Sequence, residues 1–230
     1  MQLEGRRVAV TGAFGTLGAA VVHAALAAGA RVAAIDRANA PAAATRLGDA
    51  KLFGNVDIAD ASSAVRTFDD VAKALGGLDA LVNVAGTFRW ETLADGDLDT
   101  WDRLYRVNLR TAAAASKAAL THFGEGGRIV NIGAGAADKA SAGMGAYAAS
   151  KSGVSRLTEA LAEELKDRNI TVNAVLPSII DTPPNRADMP KADFDRWVKP
   201  EQLADVILFL LSDTANAITG ALIPVRGRVW

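Results

Sequence analysis

Short apolar runs alternate with amphipathic stretches along the whole chain. Residues 7–11 (RVAVT) form a compact apolar run that leads into a glycine-rich turn, and 19–28 then follows a helical pattern that stops at Gly29. The alternation continues with predicted strands at 31–35, 51–56, 78–82, 128–132, 171–176 and 221–225. Between them fall predicted helices at 62–75, capped by Asp60 or Ser62 and closed by Gly76-Gly77, and at 145–167 and 200–211, the last with Pro at its start and Glu201 in its first turn. Helical patterns also fill 97–123. Pro41 and Gly48 leave room for only a short helix within 38–49. Residues 178–197 hold three of the seven prolines and show no period, which predicts a long loop without a packed face, of the kind that covers active sites. Strands that alternate with helices in this way predict an α/β domain with one doubly wound parallel sheet, helices on both faces and right-handed crossovers.

Composition narrows this further. A chain of 230 residues, half of them hydrophobic, suits one large domain spanning 1–230 with the loop at 178–197. Twenty-five basic and 26 acidic residues give net charge −1 without a basic stripe, so no nucleic-acid partner is expected. There is no cysteine, and the two histidines, His23 and His122, lie far apart, so no metal site is expected. The longest uncharged helical stretch, 19–30, is too short to span a bilayer, so no membrane partner is expected either, and a soluble, cytoplasmic protein is.

The candidate chemistry sits at strand ends. Gly12-Ala-Phe-Gly15-Thr16-Leu17-Gly18 joins a strand to a helix, where glycines let the backbone approach a pyrophosphate whose charge the helix N-terminus meets. Asp36 ends the next strand, 18 residues beyond Gly18, where a carboxylate would accept from an adenosine 2′-hydroxyl and repel a 2′-phosphate. NAD is therefore favoured and NADP remains open because Arg37 stands beside it; the other reading of Asp36 is a turn residue. Together these features make the expected sheet Rossmann-type. Asn83-Val-Ala85-Gly86 ends another strand on the same side, and Asn83 either meets a ligand or ties two strands together. Tyr147 and Lys151, four apart at a helix start, leave one face, so an ammonium near the phenol should favour its ionised form and make it a usable acid or base. An unremarkable half-buried Tyr and a solvated Lys would show the same spacing.

Taken in order, Thr11-Gly12…Gly18, Asp36, Asp57, Asn83-Val-Ala85-Gly86, Asn108, Tyr147-Ala-Ala-Ser-Lys151 and Pro177…Thr182 resemble the short-chain dehydrogenase/reductase family over the whole chain. The resemblance implies Tyr147 as acid/base, Lys151 as the cation that lowers its pKa and binds the nicotinamide ribose, and Asn108 as holder of a water in a proton relay. It also implies cofactor contacts at Gly12, Gly15, Thr16, Leu17, Gly18, Asp36, Arg37, Asp57 beside the adenine, Ile58, Asn83, Ala85, Gly86, Lys151, Pro177 and Thr182 beside the carboxamide. Two departures stand out: Thr16 occupies the place of the family's middle glycine, and Ala134, thirteen residues before Tyr147, stands where the family has a Ser. Ser141 lies nearer Tyr147, in the intervening loop.

The quinonoid dihydropteridine reductases also keep the Tyr and Lys without the Ser. Gly143-Met144, Asp181-Thr182-Pro183, Asn185-Arg186, Met189-Pro190 and Ala192-Asp193-Phe194 with Trp197 resemble that branch, whereas Asn108 and the Asn83 motif look more like general carbonyl reductases. The expected activity is NADH-dependent reduction of a quinonoid dihydropterin-like or other activated carbonyl acceptor. The alternatives are a general ketone or 3-oxoacyl reductase, and a weakly catalytic nucleotide-binding sensor or scaffold. The resemblance implies a homodimer or homotetramer built through helices at 99–123 and 145–167, where the small residues 112–115 would allow close helix approach.

Overall fold

In the computed structural model, residues 3–40 and 47–229 are described. The short helix expected around Pro41 falls largely outside them. The described residues form one seven-stranded parallel sheet in the order β3-β2-β1-β4-β5-β6-β7. Its strands are β1 (Arg7–Thr11), β2 (Arg31–Ile35), β3 (Lys51–Phe53), β4 (Leu78–Asn83), β5 (Phe123–Ile132), β6 (Ile170–Pro177) and β7 (Leu222–Val225). The 128–132 run is buried at every position because β5 lies between β4 and β6 and is covered on both faces.

Two apolar layers sandwich the sheet. On one face α1 (Thr16–Ala27) and α7 (Pro200–Leu211) pack through Val21, Val22, Ala25, Leu203 and Ile207. On the other, α2 (Ala61–Leu75), α4 (Thr111–Ala119) and α5 (Gly145–Leu165) bury Phe68, Val71, Leu75, Ala115 and Leu161. Asp60 caps α2 by accepting from Ser63 N, and Gly76, at φ +74°, ends it in the left-handed region that glycine adopts without strain. Ala112 and Ala115 are already buried within their own chain, so these two residues are not a free surface for a second copy.

Two elements differ from the pattern. The stretch expected as helix across 97–123 is broken into α3 (Leu98–Leu104), a π turn at Tyr105–Arg110 and α4, and β5 already begins at Phe123. The 178–197 segment is folded rather than featureless. It contains α6 (Pro183–Asp188), a short 3-10 turn at Phe194–Arg196 and a bridge from Ile180 to Val198. Its Trp197 is only 4% exposed. Arg186 pairs with Asp181 and lies 4.6 Å over the Phe194 ring, so cation–π and ion-pair contacts replace the periodic face that the sequence lacks.

Candidate active site

Because all strands run parallel, their carboxyl ends lie along one edge. The chain turns outward in opposite directions after β1 and β4, which are neighbours, and ligands collect in the crevice such a reversal opens. Its walls are narrow because glycines let two backbone segments touch. A Cβ on Gly12 would come within 2.6 Å of Ala85 N, and one on Gly18 would strike Gly12 O. Gly15 is different, since a Cβ there would meet only Gly12 O at 3.5 Å. Its openness leaves room for a ligand rather than serving the packing. Helix α1 starts directly after it at the exposed Thr16, with no acidic residue in the first turn, so the N-terminal amides and dipole can face a pyrophosphate. Leu17 points into the core, and only its backbone is placed for such a role.

Asp36 binds the glycine turn itself. One carboxylate oxygen accepts from Phe14 N and the other from Ala38 N, each at 2.9 Å. That holds the acid at the rim with capacity for a diol. Arg37 beside it is exposed. Asp57 follows β3, accepting from Ala59 N at 3.0 Å and from Arg106 at 2.7 Å, while the Ile58 side chain is core. These residues fit a dinucleotide: a tight backbone cradle, a helix start and an acid where each part of the ligand requires it.

Asn83 serves as a tie between strands. Its Nδ2 donates to Asn131 Oδ1 at 2.9 Å and to Ser116 Oγ at 3.2 Å, fastening β4 to β5 and α4 beneath the crevice. Ala85 N donates to Thr11 Oγ1 at 3.4 Å and closes the crevice wall. Gly86 lies further out. A Cβ there would sit 3.2 Å from Asn108 Oδ1 and 3.3 Å from Lys151 Nζ, so this glycine keeps a flat floor between two of the expected catalytic residues.

Lys151, 5% exposed, donates from Nζ to the Ile132 carbonyl at 2.8 Å, and burial pushes its pKa down to about 8. It is not a solvated lysine. Burial also pushes Tyr147 up to about 12, the reverse of the expected lowering. Desolvation of the phenolate outweighs any help from the neighbouring ammonium, whose hydrogen bond goes to Ile132. The Phe88 ring meets the Tyr147 ring edge-on, 4.9 Å between centroids. The Asn108 side chain is fully engaged as a donor. Its Oδ1 accepts from Thr87 N at 2.7 Å and its Nδ2 donates to Thr87 O at 3.0 Å and Ser150 Oγ at 2.9 Å. The side chain therefore locks the loop after β4 onto α5, with both Nδ2 protons spent on protein partners.

Pro177 is buried at the end of β6. Thr182 caps α6, its hydroxyl accepting from Asn185 N at 3.3 Å, which leaves its proton to donate. Ala134 is buried at the start of a 3-10 turn and contributes a methyl, while Ser141 is exposed on the loop beyond. Sequence reading missed Phe88, Thr87, Ser150, Arg106 and Trp90. Trp90 Nε1 donates to Ala142 O at 3.0 Å and the ring closes over Gly143, zipping the loop after β4 to the loop before α5. Ser150 lies within the Tyr147–Lys151 motif without having been assigned a role; of the others, the exposed apolar type of Phe88 and Trp90, in a loop beside a glycine strand end, was a visible signal.

A parallel sheet with a glycine cradle at its switch point, and a buried Tyr-Lys helix beside it, define a dinucleotide-dependent oxidoreductase. The short chain dehydrogenase model matches residues 6–193, and the chain belongs to that family. It is 34% identical to 2-(S)-hydroxypropyl-CoM dehydrogenase 3 of Xanthobacter autotrophicus over 98% of this chain and 97% of the relative. It is 33% identical to a 3-oxoacyl-(acyl-carrier-protein) reductase of Pseudomonas aeruginosa over 100% and 99%. A short chain dehydrogenase from Burkholderia cenocepacia, solved in complex with NADP, superposes with TM-score 0.88 at 37% identity, covering 99% of this chain and 98% of that one.

Proposed function

We propose that this chain reduces ketones, or oxidises the matching secondary alcohols, with Tyr147 as acid/base. The observation that carries the reading is the floor at Gly86, flanked by Asn108 and by a buried Lys151 on the helix of Tyr147. The nucleotide would lie along the crevice with its pyrophosphate at the α1 start, its adenine beside Asp57 and Ile58, its ribose diols on Asp36 and Lys151, and its carboxamide near Thr182. A bound nicotinamide supplies or accepts the hydride.

The protein's own part is proton transfer and positioning. With its pKa at about 12, Tyr147 stays protonated across the neutral range and can donate to a carbonyl oxygen as charge develops there. The phenolate left behind is then held by the Lys151 charge on the same face. Asn108 keeps the floor and the helix in register. NADH over NADPH is supported by the Asp36 carboxylate at the rim, which would repel a 2′-phosphate. A homodimer or homotetramer is proposed as the working form.

The ketone–alcohol class draws its support from relatives named for a hydroxypropyl and a 3-oxoacyl compound. A second reading, a quinonoid dihydropterin-like acceptor, draws on Ala134, because a conjugated acceptor regains aromaticity on hydride addition and needs fewer donors at its oxygen. A panel of 3-oxoacyl esters, simple ketones and quinonoid dihydropterin, followed by NADH absorbance, separates them. Faster turnover of the ketones supports the first reading. Turnover confined to the quinonoid compound, with Ala134→Ser raising ketone activity alone, establishes the second.

A further inference from the structure

Asp57 is linked to more than its own turn. One carboxylate oxygen closes that turn on Ala59 N, and the other accepts from the Arg106 guanidinium at 2.7 Å. Four residues on, Arg110 Nε donates to the Ala59 carbonyl at 2.8 Å. Both arginines stand on the π turn Tyr105–Arg110, so the turn is fastened at two points to the loop between β3 and α2. Between them the same turn sends Asn108 inward, where it is 1% exposed and holds Thr87 and Ser150. The Ser150 hydroxyl donates to the Tyr147 carbonyl at 2.7 Å. Contacts thus run unbroken from Asp57 through one widened helical turn to the backbone of the proton donor.

A π turn is rare, occurs mostly as a single widened turn inside an α-helix, and is frequent at functional sites. Here arginines hold it from outside and Asn108 from inside. The Arg106–Asp57 pair is 49% and 43% exposed, and an ion pair so accessible to water adds little to stability. Its location is therefore the more informative property. An adenine amine donating to Asp57 would compete for, or re-aim, the carboxylate that Arg106 grips, and a polar route from there to Asn108 passes through this turn.

We propose that Arg106 is a positioning residue that couples occupation of the adenine end of the crevice to the alignment of Asn108, Ser150 and the start of α5. The proposal rests on the placement of adenine beside Asp57 given above. Continuity of contacts does not by itself establish coupling, so coupling is what the test reads.

AMP is the probe, because it fills the adenine end and carries no nicotinamide. Hydrogen exchange is followed at 105–111 and 145–151 in the unaltered protein, in Arg106→Met and in Arg106→Lys, each saturated with AMP as judged by calorimetry. In the unaltered protein AMP should slow exchange in both segments by about fivefold or more. In Arg106→Met, AMP should bind and leave 145–151 unprotected, and Arg106→Lys should restore part of the protection. If Arg106→Met merely melts at a lower temperature and keeps the full AMP response, Arg106 is structural and the proposal is overturned. If AMP binds the unaltered protein without protecting 145–151, the proposal fails while the nucleotide site stands. If AMP does not bind at all, the adenine placement fails and takes the proposal with it.

Discussion

The nucleotide side of the crevice and the substrate side are built by different means. Around Gly12, Gly18 and Asp36 the geometry comes from backbone: a Cβ that cannot fit, a helix start, a carboxylate on two amides. Around Tyr147 it comes from side chains brought together from distant segments: Trp90 over Gly143, Phe88 against Tyr147, Arg186 on Asp181 and Phe194, Asn108 on Ser150. A site made of backbone tolerates few substitutions and binds one kind of ligand. A site made of side chains can change its ligand by changing a loop.

This contrast predicts a graded response. Gly18→Val should be most damaging, since its Cβ meets the Gly12 carbonyl, which has no rotamer to change. Overpacking of this kind costs about 3 kcal/mol, and NADH binding should be lost with it. Urea unfolding and calorimetric titration check both; a stable variant that binds NADH would show that the turn can yield.

Lys151→Met tests the burial penalty in the ligand-free protein. With a folded pKa near 8 against 10.5 unfolded, both states hold the proton below about pH 8 and the penalty is fully present. Between those values the unfolded chain binds the additional proton, so stability should rise with pH by about 1.4 kcal/mol per pH unit. Tyr147 acts oppositely: from 10.0 to about 12 the fold retains a proton that the unfolded chain has lost, and stability falls. Lys151→Met should abolish the rise and leave the fall. An unchanged rise would mean that Lys151 is not the group responsible.

If NADH is preferred as proposed, Asp36→Ala should weaken NADH and narrow the gap to NADPH by about tenfold, or 1.4 kcal/mol. Equal efficiency with both cofactors before any substitution would instead point to Arg37 as a phosphate partner. Arg186→Ala should have the smallest effect, under about 1 kcal/mol on stability, because the guanidinium it removes is half-exposed. Its readout is faster proteolysis within 178–197; unchanged cleavage would show that the loop is held elsewhere.

The same contrast explains what could be read in advance. Strand runs, the glycine turn and Asp36 were legible because their constraints are local, within one strand and one turn. Tyr147 and Lys151 were legible through a four-residue spacing on one helix. The π turn was not, since it depends on Arg106 and Arg110 reaching residues 49 and 51 positions away. The tie was one of two readings open for Asn83, without its partners, and Asn108 was found as a residue but not as a tie, because Asn131, Ser116 and Ser150 reach them only once the sheet and its helices have assembled. The fold of 178–197 hid behind its prolines, Trp197 being buried by contacts without period.

Tyr147→Phe tests the central claim most directly, because it removes the hydroxyl and keeps the ring against Phe88. Single-turnover oxidation of NADH with the best ketone acceptor, measured beside calorimetric NADH affinity, should show a rate lower by ~10²-fold or more with affinity within about twofold. A variant that binds NADH and still turns over at the unaltered rate would contradict the assignment of Tyr147 as proton donor.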